Sequence, residues 1–216
     1  MEFITLGLCS YQQGLEIQRE RHAQCVAGLK TSAVFLLEHF AVVTLGKHAN
    51  LHHLLLDSPS LNARGVALCA SDRGGEVTAH MPGQLVVYPI FSFKDRPLGV
   101  KTYIHLLEEV VIATLAEFGL ASQRDLRNPG VWIGGKKICA LGIRISQRVS
   151  LHGLALNIAN DLSLFTAMHP CGLINSEVTS MSQQLGRVLD LEPVAGVFTQ
   201  QFKRVFDCAR PLPTKP

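Results

Sequence analysis

A mixed β-sheet backed by packed helices, in the α/β (α+β) class, is the fold this sequence predicts, and three observations predict it. Strand-length apolar runs and helix-period segments are interleaved irregularly along the 216 residues, without the strict alternation of a doubly wound parallel sheet. At least one tight hairpin is legible, at Gly134-Gly135, and a hairpin makes its two strands antiparallel. Neither a GxGxxG segment nor a P-loop occurs, so the nucleotide-binding parallel sheets have no support.

From the N-terminus, Tyr11, Leu15, Cys25, Val26 and Leu29 fall on helical spacing and predict an early amphipathic helix. Ala33–Leu37 and Ala41–Leu45 are β-branched and apolar, and predict strands. Val66–Ser71 and Gln84–Ile90 predict two more, the second so continuously apolar that both its faces should be buried. Val100, Ile104, Leu107, Val111, Leu115 and Phe118 step by 4, 3, 4, 4 and 3, a helix ended by Gly119. Val131–Ile133 and Lys137–Ile145 are the arms of the Gly134-Gly135 hairpin. Val149–Ile158 supplies another strand, and Val194, Phe198, Phe202 and Val205 a last helix that accommodates Pro193 in its first turn. No repeat or low-complexity tract interrupts this series. Residues 1–210 therefore read as a single domain and residues 211–216 as a flexible Pro-rich tail.

Composition removes several function classes. Apolar residues make up 47% of the chain and charged residues 17%, against roughly 25% charged in an average domain, so disorder is excluded. A net charge of +3, without a cluster of five Lys or Arg, is too mild and dispersed for a nucleic-acid module. The longest uncharged apolar stretch, Gln84–Phe93, is about half of the roughly 18–20 residues a membrane helix needs. The opening MEFITLGLCS carries Glu2 and no basic region, and Glu16 and Glu20 follow, so neither a signal peptide nor a transit peptide is read. A cytoplasmic location is expected. The six cysteines at 9, 25, 69, 139, 171 and 208 then read as reduced thiols, and the lack of any CxxC pair excludes a zinc ribbon. His48, His52 and His53 include an i, i+4 pair but no third ligand, so no metal site is read.

Four segments can carry chemistry. In Arg73-Gly74-Gly75-Glu76-Val77-Thr78-Ala79-His80, paired glycines allow close backbone approach to a ligand, and Arg73, Thr78 and His80 can fix its polar end. A surface turn between two strands is the plain alternative. In Asn128–Arg144, alternation puts Lys137, Cys139, Leu141 and Ile143 on one strand face and Ile138, Ala140 and Gly142 on the other. Lys136 sits at the turn in solvent. Lys137 lies one residue into an apolar strand, where desolvation favours its neutral, basic form, unless it snorkels from the strand edge. In Ser150-Leu151-His152-Gly153-Leu154-Ala155, small and aliphatic residues after His152 suit a strand lining an apolar slot, with His152 in support. In His169-Pro170-Cys171-Gly172, a thiol stands at a sharp bend, the local geometry of a nucleophile.

Together these segments resemble the lipoyl(octanoyl) transferase family. The matching text is RGGEVTAHMPGQLVVYPI at 73–90, NPGVWIGGKKICALGIRI at 128–145, SLHGLALNI at 150–158 and HPCGL at 169–173, with a weaker VTLGK at 43–47. Cys171 follows Lys137 by 34 residues, as the thiol and lysine do in the family. The resemblance implies the fold of biotin and lipoate protein ligases. It implies transfer of octanoate from acyl carrier protein to a lysine ε-amino group on the lipoyl domain of a 2-oxoacid dehydrogenase or glycine cleavage H protein. Cys171 would hold the acyl group as a thioester, while Lys137 lowers the thiol pKa and serves as general acid and base. Substrate contacts would fall on Arg73–His80, Ala140–Gly142 and Gly153–Ala155. The donor thioester is already activated, so neither ATP nor a metal is implied, and a monomer is expected.

Each buried methylene is worth about 0.8 kcal/mol, so roughly six inner methylenes of the acyl chain would contribute about 5 kcal/mol. Ala79 and Met81 stand where the family has an aromatic residue and a glycine, which bears on the depth of the acyl slot. Lys47, Arg64, Arg73, Arg124, Arg127, Lys136 and Arg148 near the functional loops can steer an acidic carrier. An ATP-dependent lipoate or biotin ligase of the same fold, and a hydrolase pairing Cys171 with His80 or His152, are the competing readings. A non-catalytic binding module is a third class.

Overall fold

The computed structural model describes residues 1–94, 96, 98–125, 128–168 and 177–208. The described strands form two sheets. Seven strands make the larger sheet: β1 (Glu2–Cys9), β2 (Ala33–His39), β6 (Gln84–Ile90), β7 (Gln123–Arg124), β8 (Gly130–Ile133), β9 (Lys136–Ser146) and β10 (Val149–Asn157), in the spatial order β1-β2-β6-β10-β9-β8-β7. The smaller sheet has the order β4-β3-β5, from β3 (Val42–Leu45), β4 (Ala67–Ala70) and β5 (Val77–His80). β1 runs parallel to β2 and β4 to β3, while the other pairings are antiparallel. The expected mixed sheet is what forms.

Helices cover the larger sheet. On one face lie α3 (Val100–Glu117) and α5 (Leu191–Cys208), whose Tyr103, Leu107, Val111, Phe198 and Phe202 share a core with Val34, Leu36, Val87, Cys139 and Leu156 of the strands. On the other lies α1 (Tyr11–Val26), which packs Cys25 against Phe35, Val86 and Tyr88. α1 starts at Ser10, whose hydroxyl accepts from the Gln13 amide while the Gln13 side chain accepts from the Ser10 amide, a reciprocal capping box. Short helices α2 (Ser58–Ala63) and α4 (Met181–Leu185) and two 3-10 turns, Leu51–His53 and Leu162–Ala167, complete the described elements. Gly119 has φ +76° just beyond α3 and donates to the Ala116 carbonyl, which is why that helix stops there. None of the helices among the described residues is long and apolar enough to cross a membrane.

The short α2, α4 and β7 are absent from the sequence reading, and two further features depart from it. β1 was not expected as a strand. It is an edge strand with irregular exposure, no buried residue and a register shift between Thr5 and Gly7, so it lacks a continuous apolar signature. Part of the glycine-rich segment read as ligand loop or surface turn is also a strand, β5, paired with β3 through Thr44–Thr78 and Val42–His80.

Candidate active site

The site is built on a floor from which side chains are missing. Ala140 pairs with Ala155 and Gly142 with Gly153 across β9 and β10, so four small residues open a depression on the α1 side of the larger sheet. A Cβ on Gly153 would stand 2.0 Å from the Val87 carbonyl oxygen, and one on Gly142 2.6 Å from the Gly74 carbonyl oxygen. Glycine is required at both places by space. Over this floor lies the loop 73–76, tied down by the Gly74 amide donating to the Ile143 carbonyl at 3.0 Å. A cleft results between the loop and the floor.

Of the expected substrate contacts, Arg73, Gly75, Glu76, Thr78, His80, Ala140, Leu141, Gly142, Gly153, Leu154 and Ala155 line this cleft, as does His152. Gly74 does not line it but presses the loop against β9. Val77 and Ala79 point the other way, into a core with Val43, Leu61 and Phe165, because strand alternation sends only Thr78 and His80 toward the cleft. Met81 joins that same core and accepts from Asn160 through its sulfur at 3.1 Å. The two departures from the family text therefore repack the core behind the cleft and are not part of its wall.

Arg73 also braces the loop. Its guanidinium donates to the hydroxyl and carbonyl of Thr44 and to the carbonyls of Gly74 and Glu76 at 2.6–3.1 Å. It holds the loop in shape more than it presents charge to a ligand.

Lys137 reaches the site by a device the sequence does not announce. β8 and β9 slip register, with Val131 opposite Cys139 but Trp132 opposite Lys137, so Ile138 is an extra residue. Ile138 and Cys139 both enter the α3–α5 core, and the phase before them reverses. Simple alternation would put Lys137 on the face of Cys139. Instead its side chain is buried, its amine donates to Asn128 Oδ1 at 3.2 Å, and it lies 5.3 Å from the centre of the Trp132 ring. Asn128 lines the cleft and Lys137 does not, so the amine meets the cleft wall through Asn128. Cys171 lies outside the described residues. The chain following it pairs with Lys137 directly: the Lys137 amide donates to the Glu177 carbonyl and the Thr179 amide to the Lys137 carbonyl, both at 2.9 Å.

Tyr11, Tyr88 and Asn128 line the cleft unanticipated. A buried phenol needs a hydrogen-bond partner, so a tyrosine inside the apolar run Gln84–Ile90 was the available signal for Tyr88. Tyr11 is hidden by its role in the helical period. Both belong to a polar aromatic group beside the glycine floor. His39 Nδ1 faces the Cys9 carbonyl at 3.1 Å and must carry the proton, so Nε2 accepts from the Tyr88 hydroxyl at 2.7 Å. His80 Nδ1 donates to Gln84 Oε1 at 2.8 Å, and Gln84 donates in turn to Asn157. His152 Nε2 donates to Asp72 at 2.6 Å, leaving its Nδ1 buried without a partner among the described residues. Glu76 pairs with His53.

Burial is the main force on these rings. It pushes His39 down to about 4, against the opposing Cys9 carbonyl, and His80 down to about 3, helped by neighbouring His39. His152 is lowered by burial as well, with Asp72 working against it. Neutral imidazoles in the fold and protonatable ones in the unfolded chain make stability fall as pH drops below the ordinary value near 6.5. His39 and His80 are expected to cost on the order of 2 kcal/mol each by pH 5. Denaturant melts at pH 7.5 and 5 measure this, and a His39→Asn, His80→Asn double variant should flatten the dependence.

Comparison with known proteins shows the family and the fold. The family model described as lipoyl protein ligase A/B catalytic domain matches residues 10–203. An octanoyltransferase of Maridesulfovibrio salexigens is 40% identical over 206 residues, covering 95% of this chain and 96% of that protein. Another, of Chloroflexus aurantiacus, is 44% identical over 204 residues, covering 93% and 92%. Among solved structures, a lipoate-protein ligase A bound with ATP superposes at a TM-score of 0.81 over 95% of this chain and 85% of that one, at 16% identity. The biotin protein ligase of Aquifex aeolicus, with biotin and ATP, superposes at 0.57 over 95% and 70%, at 12% identity. The two ligase likenesses establish the fold. With the family model spanning most of the chain and octanoyltransferases this similar along nearly their whole length, the chain belongs to the lipoyl protein ligase A/B catalytic domain family as one of its octanoyltransferases, and so is an acyltransferase.

Proposed function

We propose that this acyltransferase moves octanoyl from octanoyl-acyl carrier protein to the ε-amino group of a lysine on a lipoyl domain, through a thioester on Cys171, with Lys137 as general acid and base. The observation that carries this reading is the buried Lys137 amine held by Asn128, a lining residue of the cleft floored by Ala140, Gly142, Gly153 and Ala155. A thiolate is the competent nucleophile, and a cation beside it favours that form. The Cys171 sulfur attacks the donor carbonyl, and the carbonyl–pantetheine sulfur bond breaks. Lys137 gives its proton to the departing thiolate. The incoming neutral amine then attacks the acyl-enzyme, Lys137 takes the amine proton, and the Cys171 thiolate leaves. One group thus works in both directions. In this reading backbone amides beside Cys171-Gly172 would hold the oxyanion. No step needs a nucleotide or a metal, because the donor arrives activated.

The cations expected to steer the acidic donor separate into two sets. Arg73 is enclosed by its loop, Arg124 is paired with Glu108 and Glu109, and Lys136 with Glu177. Arg127 lies outside the described residues. Lys47, Arg64 and Arg148 are exposed and carry the steering role in this reading.

Intact-mass measurement after mixing the protein with octanoyl-acyl carrier protein tests the proposal. One octanoyl mass on the chain, absent in Cys171→Ala, is expected, and its discharge should require a lipoyl domain. An unmodified chain with Cys171 reduced would overturn it. Acylation only from free octanoate plus ATP would indicate the ligase reaction, and turnover without any acceptor a hydrolase. Cys139 is the control thiol. Burial raises it to about 12, so it is not a nucleophile at neutral pH. Cys139→Ser is expected to retain acyl transfer while losing about 1–3 kcal/mol of stability for a hydroxyl buried in the core, as read from denaturant melts beside the transfer assay.

A further inference from the structure

We propose that the ring of Tyr88 is the stop that sets acyl-chain length at the inner end of the cleft, an inference that rests on the octanoyl-transfer reading and makes it specific. The cleft runs across the strands, not along them. Asn128, which holds the Lys137 amine, precedes β8; Ala140 and Gly142 are on β9, Gly153 and Ala155 on β10, and Tyr88 on β6. In the antiparallel β10–β6 pair Leu154 is opposite Val87, which sets Gly153 opposite Tyr88, and Gly153 is opposite Gly142. Gly142, Gly153 and Tyr88 are therefore one row across three strands. The first two positions are bare, and the third carries the row's first full side chain. Two strand spacings from β9 to β6 are about 10 Å, the length of an extended eight-carbon chain.

A stop must also resist being pushed aside. The Tyr88 hydroxyl is held by His39 Nε2 at 2.7 Å, and His39 is held by the Cys9 carbonyl at 3.1 Å. Behind it, α1 comes so close that a Cβ on Gly14 would lie 2.8 Å from His39 Cε1, so the imidazole has no space to retreat. Tyr11 packs edge-on to His39, with ring centres 5.4 Å apart, and is itself hydrogen-bonded to Ser71 at 2.6 Å. A chain two or four carbons longer meets a braced ring and must overpack the site.

The test is competitive loading of the protein with an equimolar mixture of octanoyl-, decanoyl- and dodecanoyl-acyl carrier protein, read by intact mass. Tyr88→Ala is expected to raise the decanoyl-to-octanoyl ratio at least about tenfold, which corresponds to about 1.4 kcal/mol of lost discrimination. Tyr88→Phe keeps the ring but loses the hydroxyl held by His39, and should shift the ratio clearly less than Tyr88→Ala does. A folded Tyr88→Ala protein with the parental ratio overturns the proposal, as does a Tyr88→Phe protein that shifts as far as Tyr88→Ala. Should Tyr88→Ala not fold, Tyr88→Leu replaces it with the same expectation. A parent protein that takes no acyl group from any carrier would instead defeat the transfer reading. The stop is then decided by thermal stabilisation with free octanoate, decanoate and dodecanoate. Dodecanoate should stabilise Tyr88→Leu more than octanoate does and the parent less, and equal responses in both proteins reject the stop.

Discussion

Lys137→Ala is expected to lower acyl transfer by about three orders of magnitude, within the span general acid–base catalysis supplies, while Lys136→Ala stays within about twofold. The two residues are adjacent, and their environments differ completely. Lys136 is half-exposed at the hairpin turn and pairs with Glu177 at 2.5 Å, a surface pair of small energetic weight. Lys137 is 4% exposed, with its amine between Asn128 and the Trp132 ring. Intact-mass time courses separate the half-reactions. In Lys137→Ala, both loading from the carrier and discharge to the lipoyl domain should slow, because the same group donates in one and accepts in the other. Lys137→Arg should not rescue, since a guanidinium keeps its charge and cannot accept the amine proton. Circular dichroism verifies that the variants fold. Equal losses at Lys136 and Lys137 would refute the assignment between the neighbours.

That contrast shows where the sequence was informative and where it was not. The hairpin, the long α3 period and the buried β6 run are local patterns, repeated over enough residues to be read from spacing alone. The association of Arg73–His80, Ala140–Gly142 and Gly153–Ala155 rested on resemblance, and the β9–β10 register supplies its physical reason: small residue faces small residue, twice. The bulge at Ile138 was not legible. It depends on how Trp132 and Val131 seat against the neighbouring strand, and no composition in Lys136–Ile143 marks it. Alternation therefore put Lys137 on the wrong face even though its importance was anticipated. Tyr88 and His39 were equally hidden, for their hydrogen bond joins residues 49 positions apart. Val77 and Ala79 illustrate the converse. They stand inside the motif, yet alternate residues of a strand face opposite ways, and only Thr78 and His80 of β5 serve the cleft.

The two floor glycines should fail in different ways when each acquires a methyl group, because different structures stand over them. At Gly153 the new Cβ would meet the Val87 carbonyl at 2.0 Å and Pro89 Cδ at 2.6 Å, both in the adjacent central strand β6. Relief requires parting β10 from β6 in the middle of the larger sheet. Gly153→Ala is expected to cost about 3 kcal/mol, the upper part of the overpacking range, or about 10 °C in Tm for a chain of this size. At Gly142 the nearest atom is the Gly74 carbonyl oxygen at 2.6 Å, with Arg73 Cδ next at 3.6 Å. Those atoms belong to the loop over the cleft, which can lift without disturbing the sheet. Gly142→Ala should therefore lose little Tm but narrow and deform the cleft, lowering octanoyl loading by about two orders of magnitude, since a misplacement of an ångström at a site is enough for that. Differential scanning calorimetry and the intact-mass assay on the two variants give a crossed pattern: stability lost at Gly153, loading lost at Gly142 with the fold intact. Equal thermal losses would mean that the 73–76 loop is as rigidly part of the sheet as β6 is. Normal loading by Gly142→Ala would mean that the acyl chain does not lie on this floor.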